Sequence, residues 1–233
     1  MILFARSVEA AAPAAHVKEA GDTPATTVKA RLRGVGSLLL LFLAAFLTSC
    51  VTKDTDHHIV VSARDQKLAL LEKGKLMAVY PVSTSKFGLG DLRGSYRTPL
   101  GEMEVARKIG DGAPAGAVFK DRRRTGEVIA VNAPGRDPIV TRIIWLRGRE
   151  PENSHAFARD IYIHGTPEER NIGRPASYGC IRMRSNDVIQ LYSVVGNGAR
   201  VTIADRPLEE LIAVQLHPSP ALVQLNRASI NLH

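Results

Sequence analysis

The stretch HIVVSARDQKLALLEKGKLMAVYPVSTS, residues 58–85, decides the fold class. Ile59 to Ser62 is short and rich in β-branched side chains, and ARDQ (63–66) supplies a polar turn. KLALLE (67–72) alternates, KG (73–74) turns the chain again, and LMAVYPV (76–82) continues in the same way. Three such segments on tight turns predict a meander of antiparallel strands. Outward from it, the Gly-rich GLGDLRGSYRTPLG (88–101) reads as a loop. Further strands are expected at Glu102–Ile109, Glu127–Asn132, Ile139–Leu146 and Asp160–His164, and RVTIAD (200–205) reads as the last. Short strands separated by turn signals predict a mostly β fold, a sandwich or barrel carrying one or two short helices.

One helix is well signalled. Ser185 suits an N-cap, Asp187 falls in the first turn, Val188, Leu191, Tyr192 and Val195 share a face, and Gly196 suits a stop. PLEELIAVQL (207–216) opens with Pro207 at a first helical position and predicts a short amphipathic helix. HPSPALVQLNRASINLH (217–233) reads as a loosely packed tail. Residues 57–205 are read as one domain, with a polar tether at 50–56 before it and the short helix and tail over 206–233 behind it. No internal repeat is present.

The 233-residue chain is 45% hydrophobic and 23% charged, enough to bury a single-domain core. Aromatic residues are only 5% of it, which argues against base-stacking modules. Its net charge is +8, yet Lys and Arg are scattered rather than gathered into a stripe. That disfavours nucleic acid and suits either a solvated basic surface or a polyanionic cell envelope. The run DRRR (121–124) is expected in an exposed loop.

Residues 1–30 are rich in Ala, Thr and Pro without periodicity, and RLRGVGSLLLLFLAAFLTSC (31–50) follows. Arg31 and Arg33 form a positive n-region, and the apolar run Leu38–Leu47 is shorter than a comfortable membrane span. The ending LTSC resembles the lipobox of bacterial lipoproteins. That resemblance implies cleavage after a leader and signal peptide at 1–49, lipidation of Cys50, and a periplasm-facing place in the bacterial cell envelope. Val51 and Thr52 lack the aspartate associated with inner-membrane retention, which favours the outer membrane. An uncleaved single-helix anchor and an ordinary signal peptide are the alternatives. If Cys50 carries lipid, Cys180, the second of two cysteines, has no partner for an intrachain disulfide.

Cys180 follows Gly179, and His164 ends the segment DIYIHG. A thiol is mostly protonated at neutral pH and needs a base or a positive environment to become a nucleophile. A histidine titrates in the right range to take and return that proton. The loop between them contains Pro167, Gly173 and Pro175 and can fold back to bring the two together. The amides of Gly179 and Cys180 are a candidate oxyanion hole, and Arg182 can hold a carboxylate through a forked hydrogen bond. A buried core cysteine and a structural histidine are the plain alternative. Zinc is disfavoured, because His57, His58 and His155 form no ligand cluster with this pair, and no cofactor is expected.

The whole segment IHGTPEERNIGRPASYGCIRM (163–183) resembles the catalytic signature of the YkuD-type L,D-transpeptidases: His-Gly on a strand, a loop, then Ser-His-Gly-Cys, an aliphatic residue, and Arg or Asn. Similarity extends to YPVSTSKFG (80–88), YRTPLGEMEV (96–105), RSNDVIQLY (184–192) and RVTI (200–203), and so over nearly all of 57–205. The resemblance implies a cysteine acyltransferase acting on peptidoglycan stem peptides. It implies Cys180 as nucleophile, His164 as base and then acid, and the Gly165 carbonyl as the group that orients the imidazole. Ser177, Tyr178 and Gly179 would line the oxyanion and substrate side, and Arg182 would contact a carboxylate of the donor stem. Tyr178 departs from the family's usual histidine; it can donate a hydrogen bond but carries no positive charge at neutral pH. A carboxypeptidase on the same scaffold and a non-catalytic wall-binding lipoprotein are the rival readings. The order His before Cys disfavours a papain-like peptidase.

Overall fold

The structure, a computed structural model, describes residues 52–216. The opening meander forms as read: β1 (His57–Ser62), β2 (Lys67–Glu72) and β3 (Lys75–Pro81) pair antiparallel in sequence order. In β1 and β2 apolar residues run on without polar interruption because both faces are covered. Ile59, Val61, Leu68 and Leu70 enter the main core, whereas Val60, Ala69 and Leu71 lie under a helix. That helix is α2 (Leu208–Leu216), whose Leu208 and Leu211 are buried against them. At roughly 1.5–3 kcal/mol for each buried leucine, the two residues account for much of its anchoring. Pro207 precedes the helix rather than opening it; its carbonyl accepts the Leu211 N–H at 3.2 Å.

The rest of the sheet is not in chain order. β10 (Arg200–Ala204) inserts parallel to β1 and antiparallel to β4 (Gly101–Ile109). β4 pairs with β7 (Ile139–Gly148), which also carries β8 (Tyr162–Gly165), and β9 (Ile181–Met183) runs parallel to β8. Ser83, just past β3, exchanges two 2.9 Å backbone hydrogen bonds with Arg182 of β9. This bridge ties the last strand back to the first meander and closes the sheet into a barrel. Ile59, Leu68, Met103, Ile144, Ile163, Ile181 and Met183 fill its interior. α1 (Ser185–Val194) packs Val188, Leu191 and Tyr192 on the same core.

Several expectations are corrected. β5 (Ala117–Lys120) and β6 (Arg123–Val128) form a hairpin on the outer side of β7, so the strand expected at Glu127–Asn132 lies earlier in the chain. Beyond Val128 the Ile129 N–H turns to the Gly116 carbonyl and the Asn132 N–H to Pro167, which takes the segment out of the sheet. DRRR is the hairpin's tip, not a free loop: Asp121 and Arg122 both have positive φ, as a two-residue hairpin turn of matching twist requires. Ser185 is the first helical residue rather than the N-cap. Its N–H is satisfied by the Glu169 carboxylate at 2.8 Å, and its hydroxyl pairs with Thr141. Asp54, expected in a tether, is bound to the domain: its N–H donates to Asn197 and its carboxylate accepts the Gly196 N–H. The leader, the lipobox with Cys50 and the tail from His217 lie outside the described residues.

Candidate active site

The parallel pair β8–β9 assembles the site. Ile163 stands opposite Ile181 and both enter the core, so the alternating neighbours face the other way. His164 is in register with Arg182, and Tyr162 and Cys180 pack on the second hydrophobic cluster with Trp145. The imidazole and the thiol therefore lie on one face, diagonally related across neighbouring strands. They are sixteen positions apart in sequence, and the strand pairing removes that separation.

His164 is 4% exposed. Its Nδ1–H donates to the carbonyl of Gly165 at 2.8 Å, which leaves Nε2 as the free lone pair of the neutral ring. Gly165 is required by close packing: a Cβ there would stand 2.7 Å from the Val140 carbonyl oxygen and 3.0 Å from Thr141 Cβ. Opposite them β7 has a bulge between Val140 and Ile143. Within it Thr141 adopts φ 72, a strained conformation for a β-branched residue. Thr141 Oγ1 holds it there by accepting from Gly116 N–H at 2.9 Å and pairing with Ser185 Oγ at 2.8 Å. Burial pushes the imidazole down to about 4; the Gly165 acceptor opposes this and the Arg182 charge adds to it.

Cys180 closes a tight turn. Ser177 Oγ donates to the Cys180 carbonyl at 2.6 Å and accepts the Gly179 N–H at 3.2 Å. Gly179 has φ +121, where a side chain is strained, and its carbonyl accepts Thr98 Oγ1 at 3.0 Å. The expected pair of oxyanion donors is thus reduced. The Gly179 N–H is already given to Ser177, and among the described residues the Cys180 N–H alone of the two has no protein acceptor. The Cys180 thiol donates to the Asp160 carbonyl at 3.4 Å, and burial pushes it up to about 11. At neutral pH the resting pair is a neutral thiol and a neutral imidazole.

The supporting residues were not evident from sequence. Arg122 reaches from the hairpin tip to the Asp160 carboxylate at 2.8 Å and Tyr162 Oη at 3.2 Å, over the Trp145 ring. It steadies Asp160, whose φ of 58 turns the carbonyl toward the thiol. Arg159 donates to Asp91 at 2.7 Å and to the Arg97 carbonyl at 2.7 Å, pinning the Gly-rich loop against the site. A lone aspartate, Asp91, in the Gly-rich loop is the one sequence trace of these links. Arg182 is 7% exposed and its guanidinium is taken by Asp137 at 2.6 Å and by the Ala176 carbonyl at 3.2 Å. It is a buried, paired charge rather than an open carboxylate clamp.

Cys180 opens into a cavity of about 320 Å³ walled by Arg93, Tyr96, Arg159, Ile161 and Tyr178. Tyr178 is exposed at its mouth and accepts a hydrogen bond from Lys86 Nζ at 3.1 Å. Among the described residues no three His, Cys, Asp or Glu side chains are grouped as metal ligands.

A mostly β barrel thus carries a thiol at a cleft and, on the same face of the neighbouring strand, an oriented imidazole. The family model described as YkuD, the L,D-transpeptidase catalytic domain, matches residues 56–203, and the chain belongs to that family. YqjB of Bacillus subtilis (strain 168) is 31% identical over 158 residues, 67% of this chain and 77% of that protein. YkuD of the same organism is 31% identical over 149 residues, 63% of this chain and 65% of its own length. YcfS of Escherichia coli (strain K12) is 29% identical over 160 residues, 65% of this chain and 45% of that protein. All three carry L,D-transpeptidase names. The chain thus spans about two thirds or less of the length of YkuD and YcfS.

Proposed function

We propose that the protein is a peptidoglycan L,D-transpeptidase in which Cys180 is the nucleophile and His164 the general base and then acid. The observation that carries this reading is a thiol that opens into the cavity and, on the same face of the β8–β9 pair, an imidazole whose Nδ1–H is locked by Gly165. Because thiol and imidazole are both neutral at rest, the Sγ proton moves to Nε2 as attack occurs. Sγ bonds to the carbonyl carbon that precedes the terminal D-alanine of a tetrapeptide stem. The carbonyl electron pair shifts to oxygen and is met by the free Cys180 N–H. Collapse expels the D-alanine amine, which takes the proton from His164 and leaves a thioester. An amine acceptor, in this reading the side-chain amine of a neighbouring diaminopimelate, then attacks the thioester and passes a proton to His164. The departing thiolate takes that proton back, and a crosslink between two third residues remains. Arg182, held by Asp137, enters as a fixed charge beside both groups rather than as the donor's carboxylate contact.

The test uses the full chain with tetrapeptide muropeptides and mass spectrometry. D-alanine release and a thioester adduct on Cys180 are expected, and Cys180→Ala should abolish both while keeping the far-ultraviolet spectrum. Absence of both from the wild-type chain sinks the proposal. Products formed with and without added amine separate transfer from carboxypeptidase hydrolysis. The same proposal takes Cys50 as the lipidation site of a periplasm-facing, outer-membrane lipoprotein. Labelled palmitate should enter the wild-type chain and not Cys50→Ala.

A further inference from the structure

Exposed aromatic surface is concentrated at the mouth of the Cys180 cavity. Phe87, Tyr96 and Tyr178 are 44%, 57% and 55% exposed. Their ring centroids are 5.8 Å (Phe87–Tyr96), 5.4 Å (Phe87–Tyr178) and 5.9 Å (Tyr96–Tyr178) apart, so the three form a closed triangle. Its backbone is pre-set. Ser85 Oγ donates to the Tyr96 carbonyl at 2.5 Å and accepts the Phe87 N–H at 2.9 Å, and the Lys86 N–H donates to Ser177 at 3.1 Å. A primary ammonium already rests on two of these three rings. Lys86 Nζ lies 4.4 Å from the Tyr178 centroid and 5.3 Å from that of Phe87, and donates to Tyr178 Oη. Ring faces and a phenol hold this cation, in the manner of aromatic cages for ammonium ligands.

We propose that Phe87, Tyr96 and Tyr178 form the subsite that receives the acceptor's primary ammonium, and that Lys86 is its internal occupant in the free protein. The inference rests on the acyl-transfer reading, whose second half-reaction needs a primary amine beside Cys180. Tyr96 and Tyr178 line the same cavity as Cys180, so a guest on the rings is at the entrance to the thioester. An acceptor displaces Lys86, rests on the rings as an ammonium, and gives one proton to solvent as it moves inward. Its neutral nitrogen then forms the C–N bond, its second proton passes to His164, and the C–S bond breaks with the pair leaving on sulfur. A cation-selective entrance favours amine over water, and so transfer over hydrolysis. Tyrosine at 178 supplies one of the three rings where the family usually keeps a histidine.

The test reads binding without turnover. The full chain, with ring-labelled Tyr and Phe, is titrated with N-acetyl-lysine amide and with uncharged N-acetyl-norleucine amide and followed by NMR. Only the lysine probe should shift the Phe87, Tyr96 and Tyr178 rings. Removing the internal competitor in Lys86→Met should tighten that probe about two- to fivefold, and removing a ring in Phe87→Leu should weaken it by a similar factor. Equal shifts from both probes, or a Lys86→Met affinity that is unchanged or weaker, overturn the proposal. D-alanine release without ammonium selectivity would sink this inference alone. Ammonium selectivity without D-alanine release would sink the acyl-transfer reading and leave the subsite standing.

Discussion

Acidification titrates the site through His164, and the size of the effect follows from its surroundings. In the unfolded chain the imidazole titrates at its ordinary 6.5, whereas in the barrel burial holds it near 4. Between those values the unfolded chain binds a proton that the folded chain refuses, so stability falls as pH drops through this window and no further below it. Integrating the difference gives a loss of about 2 kcal/mol at roughly pH 5 and about 3 kcal/mol at roughly pH 4, relative to neutral pH. His58 is also pushed down to about 4 by burial and contributes in the same window, so the wild type alone does not isolate His164. His164→Asn does: its amide can still donate to the Gly165 carbonyl as Nδ1 does, and it does not titrate. Urea unfolding of both chains across this range should show the stability difference closing by about 3 kcal/mol in the mutant's favour as pH falls. A gap that stays constant with pH would refute the claim that burial in the barrel lowers the imidazole's proton affinity.

Arg122→Ala leaves the Asp160 carboxylate without its cation, and that negative charge raises the Cys180 thiol further; the pH midpoint of Cys180 alkylation should move up. Its effect on stability in urea unfolding should be small, because the Arg122–Asp160 pair is well solvated. Ser177→Ala removes the donor to the Cys180 carbonyl and the acceptor for the Gly179 N–H, and urea unfolding should report a loss of about 1–3 kcal/mol. Gly179→Ala forces a side chain into φ +121 with its Cβ 3.3 Å from both the Arg97 carbonyl oxygen and Ile161 Cδ1. It should cost about 2 kcal/mol and slow alkylation of Cys180, since the turn that presents the thiol must shift.

How far the chain can be read without coordinates depends on the range of the forces involved. The meander of β1–β3 is legible because its turns are local and its strands are short apolar runs between them. The position of β10 between β1 and β4 is not, since its partners are far away in sequence and pairing them is a matter of closing loops. β5 and β9 escape notice for a related reason. They are four and three residues long, and only the neighbours they pair with make them strands. Ser185 carries the composition of an N-cap, yet Glu169 and Thr141 arrive from other elements and take over its N–H and hydroxyl.

The site divides in the same way. From the sequence alone came the identities of the thiol and the imidazole, the family signature around them, and the glycine on each side, because chemistry of this kind needs particular side chains at particular spacings. The structure alone decided what surrounds them. It turned Arg182 inward onto Asp137, gave the Gly179 N–H to Ser177, brought Arg122 onto Asp160 and set Lys86 over the rings of Phe87 and Tyr178. All but the local Ser177–Gly179 bond join residues that tens of residues of chain hold apart, so those partners meet only once the barrel closes.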